Sequence, residues 1–461
     1  MKGFTGKLCL IFVFLLPFLF STDSWGASST DQQIKELKRQ MEEIQRQNQQ
    51  QIDELRKKIE SLEAQKEADQ MKIEELSKEE EDAWWKKIKV EYKKPGDGFT
   101  LKTADDNFKM KIKLRTQFQF SINDTDGEDT ATDFNVRRLR LYFEGNAFRP
   151  WLLYAIQASG EGSSFSLRDA YFDFAYNTMF APRAGQYKVP FSREELNSSS
   201  ELQLVERSIV NDEFTFGRDR GASIYGVLGN YITYGAGIFN GDGRNGASVD
   251  SNLLYAGRIM FTPCCGELKY GGTFPAGGDY KIAPNFGKDK PLIAFGAAFA
   301  VIPGLNIGNK TPDGDIDERF DEIFGGAVID AGGAEADVFA LTADANFKYS
   351  IFSAEAEYQF RSIDPDDVAF EEATDHGFRV QAGLFIVPEF IEVAGRFGYI
   401  AFDDDIDGRE SRYEITPGLN FYLSNSHKWK VQLSYSFIKD EDTDGGEIDQ
   451  NVLRAQLQAY F

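Results

Sequence analysis

Asn107-Phe108-Lys109-Met110-Lys111-Ile112-Lys113-Leu114-Arg115-Thr116-Gln117-Phe118-Gln119-Phe120-Ser121-Ile122 separates into two faces with a period of two. The even positions are apolar except for Thr116, and the odd ones are Lys, Arg, Gln, Asn or Ser. Side chains of a strand point alternately to its two sides, so this stretch is a long strand with one dry and one wet face. A soluble sandwich would turn the dry face to a core. Sixteen residues with aromatic ends instead fit a strand whose dry face meets lipid and whose wet face meets a water-filled interior.

The same alternation returns at Phe352, Ala354, Ala356, Tyr358 and Phe360 against Ser353, Glu355, Glu357, Gln359 and Arg361, and at Trp429, Val431, Leu433, Tyr435 and Phe437. Sixteen such runs begin near residues 107, 134, 150, 166, 180, 217, 230, 253, 291, 336, 350, 376, 390, 411, 427 and 449. Short links at 148–150, 229–230, 348–349, 387–389 and 424–426 interleave with long ones at 123–133, 190–216, 302–335, 363–375 and 439–448. A membrane barrel has short turns at one rim and long loops at the other. The link 263–290 departs from that rule. The predicted fold is an all-β transmembrane barrel of about 16 antiparallel strands with an N-terminal α-helical coiled coil.

Composition agrees. The 461 residues include 40 Phe, 19 Tyr and 42 Gly, and no internal stretch is long and apolar enough for a membrane-spanning helix. Lys2 and Lys7, the apolar run Leu8 to Phe20 and the small residues near Gly26 and Ala27 read as a secretory signal over 1–26. The predicted location is the outer membrane of a bacterial cell, with the coiled coil in the periplasm.

From 31 to 80 the chain is rich in Glu, Lys, Gln and Arg without Gly or Pro. Apolar residues recur at Ile34, Leu37, Met41 and Ile44, then at Ile52, Leu55, Ile59 and Leu62, then at Ile73 and Leu76. This heptad pattern, with a four-residue stutter around Asn48, predicts a helix that buries its stripe only against copies of itself, the alternative being a charged, solvated helix without partners. Trp84 and Trp85 open a linker over 81–106, closed by Pro95-Gly96-Asp97-Gly98, and the barrel domain follows over 107–461. The net charge of −23 disfavours nucleic acid as a partner. The adjacent Cys264 and Cys265 have no metal spacing, His376 and His427 stand far apart, and nothing marks an enzyme, a metal or a cofactor.

Phe134-Asn135-Val136-Arg137-Arg138-Leu139-Arg140-Leu141 and Gly185-Gln186-Tyr187-Lys188-Val189-Pro190-Phe191 resemble two elements of the phosphate-selective porin family. Glu206-Arg207-Ser208, Gly217-Arg218 with Gly221, Gly237-Ile238-Phe239-Asn240-Gly241 and Gly257-Arg258 follow in the family's order. The resemblance implies a trimer of sixteen-stranded barrels whose third outer loop bends into the pore. Here that loop is 190–216, with Pro190, Phe191, Glu194, Glu195 and Glu206 as candidate constriction residues. The chain's last alternation, through Leu457, Ala459 and the terminal Phe461, resembles the assembly signal of outer-membrane barrels.

The wet parity itself carries Lys109, Lys111, Lys113 and Arg115 on the first strand and Arg138 and Arg140 on the second. Guanidinium and ammonium groups in a narrow channel replace the hydration of anions. The matched elements add Lys188, Arg207, Arg218 and Arg220 as candidate anion-binding residues. The competing reading is that these bases keep the lumen wet, or pair with Asp169, Asp173, Glu355 and Glu357. Acidic loops at 124–133, 313–322, 364–367, 403–407 and 440–449 would be solvated, or would bridge lipopolysaccharide through cations, and would repel anions at low salt. The expected function is passive diffusion of small hydrophilic solutes, with phosphate or other anions as permeants. The rival is a structural anchor tethering the envelope to the cell wall through the coiled coil.

Overall fold

The computed structural model describes residues 27–82, 88–93, 96–161, 164–246, 251–263, 268, 290–306, 335–366, 372–403 and 409–461. The expected leader 1–26, Trp84, Trp85, Cys264, Cys265 and the acidic stretch 313–322 lie outside them. The chain forms two units, Met1–Lys86 and Lys87–Phe461.

Among the described residues the first unit holds one helix, α1 (Ala27–Asp82), unbroken through Asn48 and about 84 Å long at the usual rise per residue. Its stripe is bare: Ile34, Leu37, Met41, Ile44, Ile52, Leu55, Ile59 and Leu62 are all exposed.

Among the described residues the second unit holds eighteen strands, of which β1 (Ile88–Glu91) and β2 (Phe99–Thr103) are short. The other sixteen close a ring. They are β3 (Lys109–Thr125), β4 (Ala131–Asn146), β5 (Leu152–Glu161), β6 (Ser164–Phe174), β7 (Ala181–Lys188), β8 (Arg218–Leu228), β9 (Ile232–Phe239), β10 (Leu254–Phe261), β11 (Leu292–Asn306) and β12 (Glu335–Tyr349). The circuit continues through β13 (Phe352–Pro365), β14 (Ala373–Val387), β15 (Ile391–Ala401), β16 (Arg409–Tyr422), β17 (Trp429–Asp442) and β18 (Glu447–Tyr460). Each pairs antiparallel with the next, and β18 returns to β3 with Leu457 opposite Phe118 and Tyr460 opposite Arg115. Every strand begins within three residues of its predicted start, because period-two alternation is a local signal that a closed sheet only has to collect.

The short links are tight for a backbone reason. Phe148, Gly229, Ser350, Glu389 and Asn425 all have positive φ, between 49° and 64°, one in or beside each of the five short links. Left-handed residues let the chain reverse without splaying twisted strands.

Two features go beyond the expected linker over 81–106. β18 runs out where the Phe461 amide donates to the Leu114 carbonyl at 2.8 Å, leaving the rest of the β3 edge open. β2 takes up that edge, pairing Phe99 with Ile112 and Leu101 with Met110, and β1 pairs with β2. The ribbon covers backbone groups that the final strand is too short to satisfy.

Outward positions are apolar and exposed, as at Phe339, Leu341 and Phe347 of β12, where Val338, Ala340, Thr342, Asp344 and Asn346 turn inward. The inward face corrects the expectation of a uniformly wet parity. Leu292, Ala294, Ala298, Ala300 and Ile302 of β11 and Ala336, Val338 and Ala340 of β12 form one buried cluster with Val189, Phe191 and Phe216. One sector of the lumen is therefore dry, because a loop covers it.

Candidate functional site: an arginine cavity in the lumen

Residues 189–217 leave β7 and fold inside the ring. Within β7, Gly185 has a φ of 133° and an absent Cβ that would lie 2.1 Å from the Ala170 carbonyl oxygen, and both require glycine. Two short helices follow, α2 (Arg193–Leu196) and α3 (Ile209–Phe214). Ser192 and Ser208 cap them, their hydroxyls accepting from the amides of Glu195 and Asn211.

Apolar contacts seat both ends of the loop. Phe191 meets Phe216 edge-on at 5.1 Å against the dry sector, while Ile209, Val210 and Phe214 pack on Ile400, Phe402 and Ile438. Each such buried side chain contributes roughly 1.5–3 kcal/mol. The barrel wall makes room: a Cβ on Gly383 would lie 2.2 Å from Gln203 Nε2, and one on Gly418 would lie 2.4 Å from Leu204 Cδ2.

Ion pairs hold the loop to the β12–β16 wall. Glu194 lies 3.1 Å from Arg379 and 3.5 Å from Arg396, and its carboxylate also accepts from the Ser208 hydroxyl and amide. Arg193 reaches Asp344 and Glu355, both at 3.5 Å, and Glu213 receives Arg361 at 2.9 Å. The middle of the loop is held by hydrogen bonds that join no two opposite charges: Gln203 donates to Ser353 at 2.8 Å and to Glu392 at 2.6 Å, and Lys430 donates to the Leu202 carbonyl at 2.8 Å.

On its other flank the loop leaves a cavity of about 150 Å³. Arg137, Arg138 and Arg140 of β4, Arg168 of β6, Arg207 of the loop, Arg218 of β8 and Arg244 line it, with Glu195 and Asp212 as the acidic residues of the lining among the described residues. The described lining holds seven cations against two anions, and two carboxylates just outside it, Glu206 and Asp169, offset part of the positive charge. Glu206, just outside, lies 2.9 Å from Arg137 and 2.6 Å from Arg138. Asp169 accepts both arms of Arg218, at 3.0 and 3.1 Å.

Two of these arginines are delivered by bulges. Arg138 lies opposite Gln117 but Val136 lies opposite Phe118, so Arg137 is the extra residue and both arginines reach Glu206. On β6 Asp169 lies opposite Gln157 and Leu167 opposite Ala158, which makes Arg168 the extra residue. A bulge sends consecutive side chains to one face. Strict alternation therefore points to Arg138 and Arg140 and passes over Arg137 and Arg168. Arg244 is set by its neighbour, since the Asn245 amide donates to Gln186 Oε1 at 2.9 Å.

The other sequence candidates scatter. Lys109 is exposed, while Lys111 and Lys113 stand 4.0 and 2.7 Å from Glu144. Arg115 is fully buried and donates to the Ser199 hydroxyl at 3.0 Å. Lys188 lies outside the cavity lining: it donates to the Glu195 and Asn197 carbonyls and pairs with the Glu195 carboxylate at 3.3 Å, which makes it an anchor of the loop. Arg220 is also outside the cavity lining, with Nε and Nη2 meeting no hydrogen-bond partner. Pro190, Phe191, Glu194, Glu195 and Glu206 lie in the inward-folded segment, the first four buried. Leu457 points outward, and Phe461 closes on Leu114. Of the acids weighed as partners, Asp173 pairs with Arg183 at 2.5 Å, and Glu355 and Glu357 pair with Arg379 at 2.6 and 2.9 Å.

Burial by itself would raise the loop carboxyls, but the surrounding cations outweigh it. Arg207, then Lys188 and Arg218, hold Glu195 down at about 2, and Arg138 and Arg137 hold Glu206 below the ordinary carboxyl range. A depressed carboxyl contributes stability above its unfolded value of 4.5 and loses it as pH falls toward the folded value. Conductance is therefore expected to stay constant from pH 7 to 5 and to change between pH 4.5 and about 2, as the loop loses its ion pairs. A pH series on single channels checks this; a transition near neutrality would contradict it.

The family described as phosphate-selective porin O and P matches residues 108–461. An uncharacterized protein of Aquifex aeolicus is 25% identical over 416 residues, covering 78% of this chain and 89% of its own length. Porin O of Pseudomonas aeruginosa is 24% identical over 308 residues, covering 63% of this chain and 67% of its own. Among solved structures, an anion-selective porin from Comamonas acidovorans superposes with a TM-score of 0.51 at 13% identity, covering 76% of this chain and 100% of that one. That likeness shows the fold alone. The family and fold are those of outer-membrane channels and not of enzymes. They give no support to a purely structural anchor.

Proposed function

The chain belongs to the phosphate-selective porin O and P family, and from that premise we propose that its channel passes small oxyanions, phosphate among them, through the cavity between the inward loop and β4, β6 and β8. The observation that carries this reading is the set of seven arginines around one cavity. Guanidinium groups donate paired hydrogen bonds to oxyanions and keep their charge at any working pH, so a dehydrating anion exchanges water for fixed donors. The dry sector and the paired β12–β16 wall leave the basic flank as the polar path. Beyond the cavity, Arg115, Lys113, Lys111 and Lys109 share the inward parity of β3, with Lys113 and Lys111 beside Glu144.

The porin O relative is consistent with this reading by its family name, and the Comamonas porin by its description as anion-selective. Reconstitution of the full chain in planar bilayers tests it. The zero-current potential in a salt gradient is expected to report anion preference, and phosphate is expected to reduce chloride current by competing for the cavity. Cation preference would sink the anion reading.

For the remaining segments, the proposal is that 1–26 is removed on export, that 31–80 forms a periplasmic coiled coil joined through 81–106 to the barrel domain 107–461, and that the coiled coil makes a homotrimer. The support is the exposed heptad stripe of α1, which a solitary helix leaves in water. Replacing Leu55 and Ile59 together by Asp is expected to convert trimers in mild detergent to monomers while the barrel keeps its heat-modifiable mobility. Unchanged trimers would place assembly elsewhere. The acidic loops and the lipid-facing band make outer-membrane lipid and lipopolysaccharide the expected surroundings.

A further inference from the structure

The ring closes where β18 meets β3, a pairing between strands far apart in the chain. The other pairs of the ring join consecutive strands, and the link between them limits how far they can slide. At the seam no link acts, and alternation does not decide the register either. A slip of one residue would turn every side chain of β18 to the wrong face, but a slip of two leaves each on its own face.

β3 offers β18 room for that slip. Its 17 residues outrun the ladder with β18, which runs from Thr125 down to Arg115 and finishes where Leu114 and Phe461 exchange amide-to-carbonyl bonds at 3.2 and 2.8 Å. Sliding β18 by two residues toward the periplasm would bring Phe461 opposite Ile112 and keep a ladder of similar length. That place is taken. β2 sets Phe99 opposite Ile112 and Lys102 opposite Lys109, so β18 and β2 share one edge of β3 with Lys113 between them. A slip the other way runs β18 past the end of β3 at Thr125 and shortens the ladder.

The segment that blocks the slip is itself fastened. Gly98, just ahead of β2, has a φ of 71°, and a Cβ on it would lie 2.1 Å from the Ile112 carbonyl oxygen, so the chain meets the β3 edge at close quarters. Asp97 pairs with Lys428 of the turn before β17, and the Lys428 carbonyl accepts from the Tyr460 amide at 2.9 Å. The register matters inside the ring as well. Gln117 of β3 donates to Gln458 of β18 at 2.6 Å, and Gln458 donates to the Ser200 carbonyl of the inward loop at 3.1 Å. A two-residue slip would carry β3 and β4 about 7 Å along the strand direction past that contact.

We infer that the segment 96–103 sets the closing register of the ring, as a stop that excludes the slipped seam which alternation permits. This role is independent of which solute passes.

The experiment is disulfide cross-linking of the folded full-length protein with Cys264 and Cys265 replaced by Ser. Asn123→Cys with Val452→Cys reports the native register, in which these residues are partners, and Ser121→Cys with Val452→Cys reports the slip by two, which would bring them opposite. Diagonal neighbours stand too far apart to bridge. Both pairs are read with the ribbon intact, with Gly98→Val, which drives β2 off the edge, and with 88–103 deleted. With the ribbon intact, the native pair is expected to close and the slipped pair to stay at background. Once β2 is gone the two registers differ by about one net hydrogen bond, a factor of about ten in population, so the slipped pair is expected to close in about a tenth of the barrels. A slipped pair that stays at background in the deletion variant overturns the inference, as does one that closes equally with the ribbon intact. A deletion variant that cannot fold overturns it too, because the ring would then need the ribbon for more than its register. If Gly98→Val does not fold, the deletion decides.

Discussion

Replacing Arg138 and Arg140 together by alanine is expected to abolish anion preference, moving the zero-current potential to neutral or cation-selective. Both side chains are 5% exposed and line the cavity, so their charges act on a permeant across little water. At 4 Å and an effective dielectric near 20, one unit charge is worth about 4 kcal/mol. Even after screening by salt, each guanidinium removed is expected to lower anion occupancy roughly tenfold or more. The change also leaves Arg137 as the one of these two guanidinium groups on Glu206, turning the mouth of the cavity from a net positive cluster into a neutral pair. The double variant keeps the barrel, since β4 retains its ladder to β3 and β5. Bilayer reversal potentials in chloride and phosphate gradients check the outcome, and retained anion preference would show that the cavity is not the filter.

The second large effect is on the loop. Glu194 is 1% exposed and is shared by Arg379 and Arg396, and its carboxylate also receives the Ser208 amide and hydroxyl that begin α3. Glu194→Ala leaves two buried guanidinium groups short of a partner and removes a fastening of the helix start, a loss of about 3–5 kcal/mol. The loop is expected to leave its seat. Conductance should then rise several-fold, anion preference should fall, and trypsin should cut after Arg193 or Arg207 in the folded barrel. Gly418→Leu reaches the same end by crowding Leu204, without touching a charge. If both variants keep wild-type conductance and resist trypsin, the 189–217 segment does not set the pore. Glu194→Gln, which can still accept from Ser208, is expected to fall between wild type and alanine.

What the amino-acid sequence determined by itself was the ring. Alternation with period two is written residue by residue, each strand needs only its neighbours to pair, and the short links carry their own left-handed residues. Sixteen strands, their starts within three residues and the lipid-facing parity were therefore legible, as was the long helix α1. The wet parity of β3 and β4 was legible as well, which is why Arg115, Arg138 and Arg140 could be named beforehand. Tertiary structure alone decided where the inward residues lead. Bulges at Arg137 and Arg168 break the alternation because an extra residue on one strand is visible only against its partner. Gly383 and Gly418 read as weak points in strands until Gln203 and Leu204 are seen to need the space. The dry sector, the diversion of Lys188 to loop carbonyls and the meeting of Arg115, Arg140 and Ser199 all depend on contacts between residues more than fifty positions apart or on the path of one loop. Local periodicity sets which face a side chain takes; only the closed fold sets what stands opposite it.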